Sequence, residues 1–473
     1  MRYLTIFIVA LLTVFGCKSD VTEKGDFAYF GGEIINPNND FVTLHSPQMK
    51  AEDTIYLDKN NRFIHKIKDV NPGIYIFTHG GEYQMIVMEP MDSLMIRLNT
   101  FDFDESLVFS GLGSKKNNFF IKDFLNNEVE NKKLVDYCKL EPEAFDELME
   151  EKRKDRLKTL ETFLEKKPCS DLFVKIAKAR INYNHYANRE IYPFGYFGYN
   201  RLVHVKDLPE SFYDFRKKID YDADYLGDTY TYNRFLSWHF NNLALYSYYK
   251  DDHSHVEFNR YSKPYNVAKL ELIDSLITNE YIKNNLLKYS VREFIYRSDD
   301  YLVSEDLLKL YLSKSSNKED KSEIKELAYS LKKLMPGNKI PNTTLIDYNG
   351  NPIELETLID APTVIYFWNS NFKMHYRNSH YTALKLKELF PEVNFIAINV
   401  NEDNSKYWKS TLDQFEFPTD NEYRFKFPKD GKKIFGVGSI DKVIILKDDQ
   451  TIVKSNANLF GEKFSHKLAQ LVQ

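Results

Sequence analysis

Residues 362–375 read PTVIYFWNSNFKMH. Pro362 to Trp368 is a near-continuous apolar run of strand length, suited to a strand covered on both faces. Working outward, residues Asn378–Leu389 predict a helix and Val393–Asn399 a second buried strand. Tyr407–Phe415 predicts another helix, and Val443–Leu446 with Ile452–Val453 a hairpin across Asp448-Asp449. Phe464–Val472 closes as a helix. On the N-terminal side, Ile340-Pro341 leads into Thr344-Leu345-Ile346-Asp347, then Gly350 and Ile353. Strands alternating with helices predict an α/β domain over residues 336–473.

The order of these elements, the run Phe367-Trp368-Asn369-Ser370, Gly436-Val437 and the strand Val443–Leu446 together resemble the thioredoxin-like family of membrane-attached thiol–disulfide oxidoreductases, the TlpA/ResA-like group. The resemblance covers about the last 135 residues. It implies a thioredoxin-like fold with a Cys-x-x-Cys motif four residues after the tryptophan and a cis-proline beside it. Here the motif positions are Phe372-Lys373-Met374-His375, and Asp441 stands at the proline position. Thiol–disulfide exchange needs a thiolate at a helix N-terminus and a second thiol to resolve the mixed disulfide. Phe372 supplies neither, and His375 titrates but cannot form a disulfide. A cis bond before a non-proline residue costs about 2.5–4 kcal/mol, so a trans bond is expected at Asp441. The expectation is a redox-inactive groove of Trp368, Phe372, His375 and Asp441, with no cofactor and no metal. His375 near Asp441 would form a His–carboxylate pair. Ser379-His380 lacks the strand–turn–helix setting of a nucleophile elbow. His375 and His380, five apart, fall on different helix faces.

Before this domain, residues 27–111 alternate apolar and polar in eight short runs, from Phe27–Ile34 to Leu107–Ser110. Turn clusters such as Asn36-Pro37-Asn38-Asn39 and Asn71-Pro72-Gly73 separate them, which predicts a β-sandwich-like domain. Its ending, Phe109-Ser110-Gly111 followed by Asn117 and Asn118, is similar to the β-domain that often precedes thioredoxin-like domains in Bacteroidetes lipoproteins. Residues 112–335 read as a helical domain. Pro142–Lys167 is rich in Glu, Lys and Leu, a helix past Ala177 runs towards Tyr186, and Lys314–Lys321 reads as a loop. Tyr192-Pro193-Phe194-Gly195-Tyr196-Phe197-Gly198-Tyr199 reads as an aromatic loop, which either packs on the helices or stacks on a sugar ring. The fold class is therefore multidomain α+β, with a β-sandwich-like, a helical and a thioredoxin-like domain in that order.

The chain begins MRYLTIFIVALLTVFGCKSD. Arg2 gives a positive start, and Leu4 to Gly16 is apolar or small throughout, too short to span a bilayer as a helix. Residues 1–16 therefore read as a signal peptide, with 17–26 as a linker. Val14-Phe15-Gly16-Cys17 resembles the bacterial lipobox, which implies that Cys17 is acylated and anchors the chain to a membrane of the cell envelope. Cys138 and Cys169 are the other two cysteines. They are 31 apart in a helical stretch and outside any Cys-x-x-Cys, so a disulfide or two quiet thiols fit equally.

Lys and Arg number 64 against 69 Asp and Glu, giving a net charge of −5 with no basic block. Nucleic acid is not an expected partner. Gly is only 18 of 473 residues, which argues against phosphate-cradling loops. The expected function is an envelope lipoprotein binding a peptide, protein or small ligand. The alternatives are a thiol–disulfide oxidoreductase using Cys138 and Cys169, and a glycan- or solute-binding lipoprotein using the aromatic loop.

Overall fold

The computed structural model describes residues 25–46, 51–250, 258–298, 301–402, 405–461 and 463–472. Cys17 lies outside them. The chain divides into two compact units, residues 1–131 with 160–177, and residues 132–159 with 178–473.

The first unit holds eight strands: β1 (Ala28–Ile35), β2 (Phe41–Ser46), β3 (Ala51–Tyr56), β4 (Arg62–Ile67), β5 (Gly73–His79), β6 (Glu82–Met88), β7 (Ser93–Asn99) and β8 (Val108–Leu112). They form two four-stranded sheets, ordered β4-β1-β7-β8 and β3-β2-β5-β6. Side chains alternate across each strand, so one face of each sheet is apolar. In β5, Gly73, Tyr75, Phe77 and His79 are buried while the residues between them are not. Phe30 of β1 and Phe77 of β5 are both fully buried and meet with ring centroids 5.5 Å apart, joining the sheets' inner faces. Helix α1 (Ser114–Tyr137) begins against both sheets. Asn117 accepts from Val87 N–H at 2.8 Å and donates to Val87 C=O at 3.0 Å, on the outer strand β6. Asn118 does the same for Phe109 of the outer strand β8, at 3.1 and 2.8 Å. Each amide thus imitates a neighbouring strand.

The second unit contains most of the helices and a seven-stranded sheet. Helix α2 (Pro142–Lys166) and helix α3 (Asp171–Phe197) run through both units. They are followed by α4 (Tyr230–Lys250), α5 (Lys263–Leu276), α6 (Glu280–Arg297), α7 (Tyr301–Lys314) and α8 (Lys318–Lys333). Two expectations need correction here. The stretch Tyr192–Phe197 is not a loop but the end of α3, with Pro193 inside the helix. An interior proline costs about 3 kcal/mol, and packing offsets it. Tyr192 is fully buried, stacks on Tyr196 at 5.1 Å, meets Phe145 at 4.3 Å and donates its hydroxyl to Leu140 C=O at 2.6 Å. Gly195 is needed for close approach, because a Cβ there would lie 2.7 Å from Cys138 Cβ. Tyr192 therefore belongs to the packing between helices. Likewise Lys318–Lys321 is helical. Asn317 caps α8 by accepting from the N–H groups of Glu319 and Asp320, and these two acids sit favourably at the positive end of the helix.

The sheet comprises β9 (Thr344–Asp347), β10 (Pro352–Glu354), β11 (Thr363–Trp368), β12 (Asn394–Asn399), β13 (Glu422–Phe425), β14 (Val443–Leu446) and β15 (Ile452–Ala457), in the order β10-β9-β13-β12-β11-β14-β15. β11, β12 and β13 are parallel, and β9, β14 and β15 run antiparallel to their neighbours. Every residue of β11 is buried. Val364, Tyr366 and Trp368 face one core, completed by α9 (Lys373–Leu389), α10 (Ser405–Phe415) and α12 (Phe464–Leu471). Ile365 and Phe367 face the other core, with Phe425 at the end of β13 and Phe435 just after α11 (Pro428–Ile434). Among the described residues, no helix is long and apolar enough to cross a membrane.

Candidate functional site

The turn from β11 into α9 is held from below. Ser370 N–H and Oγ donate to Asn401 Oδ1 at 2.9 and 3.1 Å, and Asn399 Nδ2 donates to the same oxygen at 2.9 Å. Phe372 is the N-cap of α9 and makes no side-chain capping bond. Phe372 is 43% exposed, and Met374 is 68% exposed. One turn on, His375 is mostly buried, with Phe460 edge-on at 6.3 Å. Its Nε2 lies 3.4 Å from Asp441 Oδ1 and 3.4 Å from Ser379 Oγ, while its buried Nδ1 has no partner among the described residues. Burial lowers its pKa, partly offset by Asp441. The Asp441 peptide bond is trans.

Ser, His and Asp therefore come together, but not as a catalytic triad. A triad needs the hydroxyl on one ring nitrogen and the carboxylate on the other. Here both crowd Nε2 at the outer limit of hydrogen bonding, and Asp441 is largely in solvent.

Phe372, His375 and Asp441 thus lie around the start of α9, whereas Trp368 does not line this surface. It is fully buried because β11 is covered on both faces, and its Nε1 donates to Glu422 Oε2 at 3.1 Å. That bond belongs to a cluster that no sequence signal announces. His380, on the inner face of α9, donates from Nδ1 to Tyr376 C=O at 2.6 Å, and its Nε2 meets Glu422 Oε1 at 2.8 Å. The imidazole stacks on Phe417 at 4.2 Å. Because Nδ1 must carry a proton to reach a carbonyl, a second proton lies between Nε2 and Glu422, and the pair is neutral overall wherever that proton sits. Burial raises the Glu422 pKa, with His380 and Trp368 opposing. The pair is sealed from solvent, which suits it to fixing α9 on β13 rather than to chemistry.

A second sealed cluster joins α3 and α4. Glu190 is fully buried and accepts two bonds from Arg216, at 2.8 and 2.6 Å, one from His239 Nδ1 at 2.7 Å and one from Asn242 at 2.8 Å. Tyr221 hydroxyl lies 2.7 Å from His239 Nε2, and the Arg216 guanidinium covers the Tyr213 ring at 3.9 Å. Burial alone would raise the Glu190 pKa, but Arg216 and His239 more than offset it and hold it low.

Cys138 and Cys169 are both free. Neither is helical: they sit in the connections at opposite ends of α2, whose 25 residues measure about 37 Å. Bridged cysteines need their Cα atoms within about 7 Å, so the intervening helix rules out a bond between them. Burial pushes the Cys138 thiol up to about 11, and raises that of Cys169. Among the described residues no group of His, Cys, Asp and Glu could hold a metal ion.

No family model and no curated protein matches the chain. Solved structures do match, over about 30% of the chain. The thioredoxin domain of a thiol–disulfide oxidoreductase from Bacteroides vulgatus is 17% identical over 30% of this chain and 99% of its own, with a TM-score of 0.26. A thiol:disulfide interchange protein from a Bacteroides species is also 17% identical, over 29% of this chain and 91% of its own, at a TM-score of 0.26.

Proposed function

We propose that this chain is a lipoprotein of the cell envelope whose thioredoxin-like domain holds an extended peptide or protein segment without covalent chemistry. The observation that carries this reading is the start of α9. In the family that the sequence resembles, an attacking sulfur stands there; here a half-exposed phenyl ring does. Exposed apolar side chains on a helix start suit contact with a bound segment, and pairing with an outer strand of the sheet would supply its backbone bonds. The two other cysteines belong to the connections at the ends of α2, not to the segment that starts α9. With its pKa at about 11, Cys138 is thiolate in about one molecule in ten thousand at pH 7.

Purified mature protein is therefore expected to reduce a model disulfide no faster than the buffer control, and to alkylate slowly at Cys138 under native conditions. Phe372→Cys combined with His375→Cys restores two thiols and is expected to give weak turnover, since Asp441 still occupies the cis-proline position. Robust wild-type turnover that disappears in a Cys138→Ser, Cys169→Ser protein would sink the binding reading in favour of an oxidoreductase.

The anchor is a separate part of the proposal, supported by the apolar stretch ending at Gly16-Cys17. Cys17→Ser is expected to release the protein from the membrane fraction. Intact mass of the mature N-terminus checks this: an unacylated chain starting elsewhere ends the lipoprotein reading.

A further inference from the structure

Lys442 follows Asp441 but turns inward. It is 4% exposed, and among the described residues its ammonium has neither an ion pair nor a hydrogen bond. The close fit of its loop explains the burial. A Cβ on Gly438 would lie 1.9 Å from the Tyr296 hydroxyl of α6, and one on Gly436 2.6 Å from Leu331 of α8. Lys442 lines two cavities. One, of about 220 Å³, has Ile295, Leu308, Leu331 and Met335 in its wall, and Ser455 also lines it. The other, of about 560 Å³, opens towards Arg292, Asp441 and Phe460.

Each carboxylate in these walls is engaged elsewhere. Glu305 is 3.5 Å from Lys309, Glu293 is paired with Arg297, and Asp441 faces His375. A buried ammonium without a counter-charge is costly, and burial accordingly pushes the Lys442 pKa down to about 7.

We propose that the smaller cavity binds a small organic monocarboxylate, its carboxylate on the Lys442 ammonium and the Ser455 hydroxyl and its apolar body against Ile295, Leu308 and Met335. A single buried cation matches a single negative charge; Lys325 and Lys332 of the same cavity are exposed and add only a weak attraction at its rim. The space, roughly that of seven waters in the liquid, sets the size. The apolar side chains in one part of the wall favour a ligand with an apolar body over a bare inorganic anion.

The test uses the full mature chain, with benzoate and isovalerate as probes, benzamide as the neutral isostere and inorganic phosphate as the bare anion. Calorimetric titration is expected to show saturable benzoate or isovalerate binding to wild type, weakened about ten- to a hundredfold in Lys442→Met, the range of a lost charge-assisted bond. Benzamide should not distinguish the two proteins. Lys442→Met should also melt no lower than wild type, because it replaces an unpaired buried charge by an apolar chain. If the variant does not fold, thermal-shift titration of wild type decides alone: benzoate must raise the melting temperature and benzamide must not. Equal benzoate affinity in both proteins, benzamide binding as well as benzoate, tighter phosphate binding, or no saturable carboxylate binding each overturns the proposal. None of these outcomes depends on the reading of the α9 surface.

Discussion

Arg216→Ala is expected to lower the unfolding free energy by about 3–5 kcal/mol, the usual effect of stripping one partner from a buried ion pair. The guanidinium makes two of the four side-chain bonds on Glu190, and Glu190 has no access to water. Without Arg216 the carboxylate keeps only His239 and Asn242, and the guanidinium that covers the Tyr213 ring is also gone. Urea unfolding of the variant at pH 7 measures the loss; a change below about 1 kcal/mol would mean that water enters and solvates the site. The pH dependence has a definite sign. The Glu190 pKa is held below its ordinary value of 4.5, so its contribution is present above that pH and disappears as the pH falls through the lower folded value. In wild type this cluster should therefore fail on the acid side, and in Arg216→Ala that acid-side slope should be largely gone.

His380→Ala is expected to cost about 3–5 kcal/mol for a related reason, since Glu422 would be left buried with Trp368 as its remaining partner. The control is Glu422→Gln. Its amide can accept from Trp368 Nε1 and donate to His380 Nε2, so every group stays satisfied and the change should stay within about 1 kcal/mol. Here the pH sign reverses. Burial raises the Glu422 pKa above 4.5. The stability tied to its proton is complete below 4.5 and is lost as the pH climbs through the raised folded value. His380→Ala should sharpen that alkaline-side loss, and Glu422→Gln should abolish it. Denaturant midpoints of the three proteins across pH 4 to 8 separate these outcomes. An unchanged midpoint for His380→Ala would mean that the pair does not hold α9.

Much of the architecture was legible because local pattern and tertiary fate agree. The run Pro362–Trp368 is a strand buried on both faces, Val443–Leu446 and Ile452–Val453 pair as a hairpin, and eight alternating runs near the N-terminus are eight strands. What was not legible depends on partners distant in the chain. β13 is four residues long, and its first, Glu422, is held by His380 and Trp368 from 42 and 54 positions away. No spacing rule reaches that far. Pro193 and Gly195 are ordinary loop signals, overridden by the burial of Tyr192 and by the close approach of Cys138. Polar character hid the start of α8, where Asn317 is a cap rather than part of a loop. At the candidate site, the juxtaposition of His375 with Asp441 followed from the resemblance, but the fact that Ser379 and Asp441 compete for one nitrogen depends on how α9 meets the loop before β14.

The two asparagines at the start of α1 bear on how the chain behaves in company. Outer strands are where β-rich proteins polymerise, each free row of N–H and C=O groups templating the next molecule. Asn117 and Asn118 occupy one residue's worth of that row on each sheet, at Val87 and Phe109. A side-chain amide ends the ladder where another backbone would have extended it, and it does so on both sheets from a single helical turn. Molecules gathered at high local density could then stand side by side without knitting into fibrils at these positions, and the two amides act as stoppers against self-templated aggregation.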